Sequence, residues 1–238
     1  INGEYIEHTF IGGGRDNFID GGASNENSYS VIVGGRYNKT GGACSFIGGG
    51  VCNLTSDIYS TIVGGTLNTA SGACSFIGGG QSNIAEGVHS YAGGLESCTA
   101  TTGAQGFAHG YQAKAIGGAS AAFGAVQEAI GDNSFIAGGA SNSACAQYSF
   151  VGGFNNETTT SAKASSVLGE SNCVNAPWSF AVGSNNCILG GDITAVAGGN
   201  IVGGKVNKVQ GIYSLGNLIM GNDNCIGDGS SNVGGATA

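Results

Sequence analysis

Val31–Ser60 reads VIVGGRYNKTGGACSFIGGGVCNLTSDIYS and Thr61–Ser90 reads TIVGGTLNTASGACSFIGGGQSNIAEGVHS, and the two align over 30 residues without a gap. Each stretch holds two similar halves, so the repeating unit is 15 residues. Ser30, Ser45, Ser60, Ser75 and Ser90 open successive units. The register continues less regularly through Gln105, Ser120, Ser134, Ser149, Ser165, Ser179 and Thr194. Two places beyond that residue stands a core-type side chain: Ile32, Ile47, Ile62, Ile77, Ala92, Phe107, Ala122, Ile136, Val151, Val167, Ala181 and Val196. Four places on stands a glycine, as at Gly34, Gly49, Gly64 and Gly79, with His109 as the break. Asn recurs eight places on (Asn38, Asn53, Asn68, Asn83, Asn142), and Gly near the twelfth (Gly42, Gly72, Gly87, Gly117).

The first three residues after the Ser are β-branched or aromatic in most units and read as a short strand. Gly and Asn tolerate positive φ and read as corners. A unit with two corners is one coil, stacked on the next at a strand spacing of ~4.8 Å. The fold class expected is all-β: a parallel β-solenoid, or β-roll, of about 15 residues per coil. Residues 30–213 form the roll, with an N-terminal junction over 1–29 and a C-terminal coil, cap or junction over 214–238. The segments 156–164 and 190–206 break the period and are where a binding surface would be grafted.

Composition agrees. The 48 glycines with a single proline exclude collagen, and 41% apolar residues exclude a flexible linker. Fifteen acidic residues against 7 basic ones, a net charge of −8, disfavour nucleic acid as a partner. No apolar run approaches the ~18 residues of a membrane-spanning helix. The absence of an initiator Met and of a signal peptide reads as a segment of a longer or processed chain.

Alternation puts the first and third strand residues on the face opposite the core residue. Both are mostly apolar, and they trade volume: Phe46 goes with Gly48, Phe76 with Gly78, Phe150 with Gly152 and Phe135 with Ala137, whereas Val31 goes with Val33. A solvent-facing strand would alternate apolar with polar. Val31, Phe46, Phe76, Phe135 and Phe150 are therefore expected to pack against another copy of the chain.

Units such as SFIGGGQSNIAEGVHS, STIVGGTLNTASGACS and SFAVGSNNC resemble the head repeats of YadA-like trimeric autotransporter adhesins and the repeats of related phage and viral trimeric tail fibres. The resemblance covers roughly residues 30–200. It implies a left-handed parallel β-roll, three chains side by side, with Ile32, Ile47, Ile62, Ile77, Ile136 and Val151 inward and Gly34, Gly49, Gly64 and Gly79 in turns. It also implies a homotrimeric, non-enzymatic head that attaches to a glycan or protein receptor, outside the cell or on a virion. Neither a coiled-coil stalk nor a membrane anchor is visible, and eight cysteines suit a fibre assembled in a reducing cytoplasm. Three other classes stand beside this one. A structural spacer or virion decoration has the same pattern. An ice-binding solenoid needs a Thr ladder, and Thr40 and Thr55 give way to Ala70, Ala85 and Ala100. A polysaccharide-cleaving β-helix needs wider coils and paired acids.

Other residues read as structure. None of Cys44, Cys52, Cys74, Cys98, Cys145, Cys173, Cys187 and Cys225 forms a CxxC pair, so small buried thiols at coil corners are expected and zinc is not. Cys173 and Cys187, at equivalent places one coil apart, have the spacing for a disulfide. His8, His89 and His109 are scattered. Asp192, Asp223 and Asp228 stand in Gly/Asn contexts that suit either turn chemistry or calcium. The sequons at Asn38, Asn53 and Asn156 follow the repeat's own period. No cofactor is expected. An exposed aromatic patch near Trp178 would favour binding over spacing.

Overall fold

The structure is a computed structural model that describes residues 8–20, 29–190, 200–211 and 217–227. The chain forms two compact units, Ile1–Ala119 and Ser120–Ala238. Each is a parallel β-solenoid with two strands per coil, and no helix occurs among the described residues. In the first unit, seven strands from Phe10–Ile11 to Phe107–Tyr111 form one sheet, and seven from Phe18–Ile19 to Lys114–Ala115 form the other. In the second unit the sheets run from Ala121–Ala125 to Leu218–Asn222 and from Glu128–Ala129 to Cys225–Ile226. The pairing includes segments outside 30–213: Phe10 pairs with Val31, and Ile201 with Leu218.

The backbone ladder of the coils runs to the next coil. Val31 N–H donates to Ser45 O at 2.9 Å and Val33 N–H to Ile47 O at 3.0 Å. The interior is thin enough that each strand contributes one side chain. Ile32, Ile47, Ile62, Ile77, Ile136 and Val151 are fully buried. They face small partners from the second sheet of the same coil: Thr40, Thr55, Ala70, Ala85, Ala144 and Thr158, all buried. Where the first strand supplies only Ala181, the second supplies Ile188.

One coil slips register. Gly106, not Gln105, receives the Tyr91 N–H, and the buried residue is Ala108, while Phe107 lies partly exposed on the outer face. His109 accordingly pairs with Gly93 in the strand, and Gly110 carries the positive φ of the turn at +148°. Val196 lies outside the described residues; Val202 is the buried residue at the next strand.

Glycine takes positive φ at one turn of each coil, as expected, at Gly35, Gly50, Gly65 and Gly80, but the recurring Asn residues do not, and the other corners fall to other residues. Two non-glycine residues per coil adopt φ near +55°, one before the ladder Asn and one before the Ser: Tyr37 and Cys44, Cys52 and Tyr59, Leu67 and Cys74. The left-handed conformation costs such residues ~1–2 kcal/mol. It persists because it turns each N–H onto the preceding coil, as Leu67 N–H onto Val51 O at 2.9 Å. Asn tolerates this conformation and Leu67 points into solvent, so Leu67→Asn is expected to raise stability by about 0.5–1 kcal/mol in urea titration. A loss would mean that the Leu67 side chain packs along its corner.

The Asn residues instead form a buried ladder. Asn68 Nδ2 donates to Gly64 O at 3.1 Å, Gly80 O at 3.0 Å and Asn53 Oδ1 at 3.1 Å, and its Oδ1 accepts the N–H of Asn83 at 3.0 Å. The ladder continues through Asn142, Asn156, Asn172, Asn186, Asn207 and Asn224 in the second unit. The sequon residues Asn38, Asn53 and Asn156 belong to it, so their amides are buried and bonded rather than presented for glycosylation. Ser30, Ser45 and Ser60 are buried at the other corner, with Ser45 and Ser60 hydroxyls 3.2 Å apart.

Candidate functional site

The outer face of the first sheet is the distinctive surface of both units. In the first unit one column runs Phe10, Val31, Phe46, Thr61, Phe76, Tyr91, Phe107 in register. Beside it run Gly12, Val33, Gly48, Val63, Gly78, Gly93 and His109. Phe46 and Phe76 are 37% and 38% exposed, and Val33 and Val63 are exposed as well. The volume trade has two causes. A Cβ on Gly48 or Gly12 would strike the backbone carbonyl of the next coil, Val63 O or Val33 O, and would also lie 3.3 Å from the Phe46 ring or 3.0 Å from the Phe10 ring. The ring lies back along its own strand over the glycine. Where the first residue is small, as at Val31 and Thr61, a Val fills the third position instead. The result is an apolar face of nearly even height.

In the second unit the columns are Ala121, Phe135, Phe150, Ser166, Phe180, Ile201, Leu218 and Phe123, Ala137, Gly152, Leu168, Val182, Gly203, Met220. Phe135 stacks on Phe150 with centroids 5.6 Å apart, and Leu218 and Met220 are more than half exposed. Ser166 is the one polar residue among these fourteen. The second sheet's outer face is different in kind. Its columns mix Lys39, Leu54, Thr69, Ile84, Cys98 and Lys114 in the first unit, and Glu128, Ser143, Glu157, Cys173, Cys187 and Lys208 in the second. Charges interleaved with apolar residues make that face compatible with water.

Within the first unit the face carries a groove of about 310 Å³ lined by Gly78, Gly79, Gly80, Tyr91, Gly93, Gly94 and His109. Tyr91 is held between Phe107, at 4.2 Å and nearly parallel, and Phe76 at 5.6 Å. Its hydroxyl and His109 Nδ1 both reach over Gly93, where a Cβ would meet them at 3.0 and 2.9 Å. The groove therefore combines bare glycine backbone, a flat aromatic wall and two hydrogen-bonding tips. The repeat pattern hid it, because Tyr91 reads as an ordinary strand residue and His109 only as a break in the turn glycine. The signal available was their coincidence on adjacent units with two Gly-rich strands.

The remaining candidates lie apart. His8 stacks on Tyr29 at 4.9 Å, and His89 occupies a left-handed corner. Trp178 is exposed at a left-handed corner, in the same column as exposed Tyr148 with Ala164 between them. Asp223 also sits at a corner, its N–H donating to Lys205 O at 3.0 Å. Asp192 and Asp228 lie outside the described residues, as do 191–199 of the second period break. The cysteines are not buried: seven are half-exposed and Cys225 is exposed. Among the described residues no three His, Cys, Asp or Glu side chains gather as a metal site would require. Gly34, Gly49, Gly64 and Gly79 lie at the bend or strand end after the core residue, but the glycines whose Cβ the next coil's backbone would strike are Gly35, Gly50, Gly65 and Gly80. A scan against protein-family models finds no matching family, and a search of curated proteins finds no match to this chain.

Proposed function

We propose that this chain is a non-enzymatic segment of a trimeric fibre or adhesin head, in which three copies pack side by side and present a cell-surface binding site. The observation that carries the reading is the apolar outer face of the first sheet, continuous within each unit and opposed to a mixed, charged face on the second sheet. Exposed apolar surface of this extent is stabilised when it is covered. A second copy presenting the same flat columns covers it with matching shape, and cyclic symmetry closes the contact among three chains. The left-handed roll implied by the resemblance belongs to this proposal, as does a site on a virion or outside the cell.

The groove beside Tyr91 favours a glycan as receptor. A pyranose has an apolar C–H face that stacks on an aromatic ring and hydroxyls that bond to groups such as Tyr91 Oη and His109 Nδ1. Tyr91 and His109 stand in the two columns of the covered face, so glycan binding here requires the neighbouring copies to leave these coils uncovered. The alternative of a pure spacer keeps the trimer and lacks glycan binding. The ice-binding alternative has lost its ladder: Thr40 and Thr55 face the interior.

Light scattering tests the assembly. A mass near three times 23.3 kDa is expected for the native chain. Phe46→Asp together with Phe150→Asp should yield monomers, since each buried, unpaired carboxylate costs roughly 3–5 kcal/mol and symmetry repeats it. A native monomer sinks the proposal. Glycan-array binding by a trimer, lost in Tyr91→Ala, separates the receptor-binding head from the spacer.

A further inference from the structure

Cys173 and Cys187 are directly opposite in register on the neighbouring strands Cys173–Val174 and Cys187–Gly190 of the second unit. Their neighbours Val174 and Ile188 fill the interior, so both sulfurs stand on the outer face of the second sheet, half-exposed. The two thiols therefore stand next to each other, one coil apart, on the same face. Opposite residues of a parallel ladder are ~4.8 Å apart at Cα, inside the roughly 4.4–6.8 Å that a disulfide spans. Elsewhere on this face Cys98 lies between Ile84 and Lys114, and Cys225 lies beside Lys208. The adjacent charged groups in the same column are Glu157 beside Cys173 and Lys208 beside Cys187.

We propose that Cys173 and Cys187 form a modification site for low-molecular-weight disulfides of the glutathione class, and that their oxidation staples two neighbouring coils together. The Cys187 thiolate attacks one sulfur of the small disulfide, forming a mixed disulfide and releasing one small thiolate, which takes up a proton. Cys173 then loses its proton and attacks the Cys187 sulfur, forming the Cys173–Cys187 bond and expelling the second small thiol. The two protein thiols are oxidised by two electrons and one small disulfide is reduced to two thiols.

The order of attack follows from the site. Interaction with the adjacent Cys173 thiol holds Cys187 below the ordinary thiol range, to about 7, against the opposing effect of burial and with help from Lys208. The same interaction, together with burial and the charges of Cys187 and Glu157, raises Cys173. Cys187 is therefore ionised first and Cys173 acts as the resolving thiol. A solenoid loses structure coil by coil, each coil being held only by its neighbours. A covalent link across this pair stops that loss beside the period break at 190–206.

The test is the full chain, reduced and then exposed to oxidised glutathione near neutral pH, followed by intact mass and chymotryptic mapping, which cuts at Trp178 and Phe180 between the two cysteines. The expected product is lighter by two hydrogens, carries one Cys173–Cys187 link, and forms roughly fivefold or more faster than any adduct on the other six cysteines. In Cys173→Ser a stable glutathione adduct should remain on Cys187. The oxidised native chain should unfold roughly 4 °C or more above its reduced form, a comparison that needs no variant. Persistent adducts on the native protein, even labelling of all eight cysteines, no reaction at all, or equal unfolding temperatures would each overturn the proposal.

Discussion

Gly65→Ala is expected to prevent the first unit from folding, while Gly64→Ala, one residue earlier, leaves stability within about 0.5–1 kcal/mol of the native chain. A Cβ on Gly65 would run into the carbonyl oxygen of Gly80, and would lie 2.6 Å from Asn68 Nδ2 and 2.9 Å from Gly80 N. The main obstacles are backbone atoms of the next coil. That coil cannot withdraw, because Thr66 N–H donates to Gly80 O at 3.0 Å and Val63 N–H to Ile77 O at 3.0 Å. The φ of Gly65, +99°, is itself hostile to a side chain. Gly64 has neither problem: a methyl group there would meet nothing within 4 Å, and its φ is not positive. Urea denaturation of both variants, followed by circular dichroism, decides the point. Equal losses would show that coil spacing is not what the second glycine protects.

Asn68→Ala should cost roughly 3–5 kcal/mol, several times the effect of Ser97→Ala in the same ladder. Removing the Asn68 amide takes partners from five groups at once: Gly64 O, Gly80 O, Asn53 Oδ1, and the N–H and Nδ2 of Asn83. All lie in or beside a buried corner that water cannot easily re-enter. Ser97 Oγ makes a single bond, to Gly110 O at 3.1 Å, so its loss should cost about 1 kcal/mol. Asn68→Asp should be no better than Ala, because a carboxylate would face the carbonyl oxygens of Gly64 and Gly80 in place of an N–H donor. Thermal or chemical unfolding of the three variants provides the comparison. Similar costs for Asn68→Ala and Ser97→Ala would mean that the ladder contributes packing rather than hydrogen bonding.

These two cases show how a repeat can be read and still be misassigned. Counted from the Ser, the Asn stands eight places on in the early units and seven in several later ones, so the ladder reads as broken after Asn83. Counted from the glycine of positive φ, the interval is constant: Gly35 to Asn38, Gly65 to Asn68, Gly153 to Asn156, Gly183 to Asn186. A Gly-x-x-Asn spacing was therefore available in the sequence. It was obscured because the turn before it varies by one residue while the bonded corner does not. The coil with Phe107 misleads in a similar way: an extra residue before Gly106 shifts the strand, and the large aromatic takes the outer column while Ala108 takes the core.

By itself the sequence determined the all-β class, the coil length, and, except in the coil of Phe107, the strand position and the inward set from Ile32 to Val151. Those properties rest on local periodicity, which a chain displays along its own length. Only the tertiary structure decided which glycine of each pair is indispensable, which non-glycine residues take left-handed corners, and that Asn builds a buried ladder. It also decided that Tyr91 and His109 share a groove. Each of these depends on a partner one coil away, where hydrogen bonds between coils set the spacing and a shift of one residue exchanges the partner. Local propensity has no term for that neighbour, and stacking supplies it.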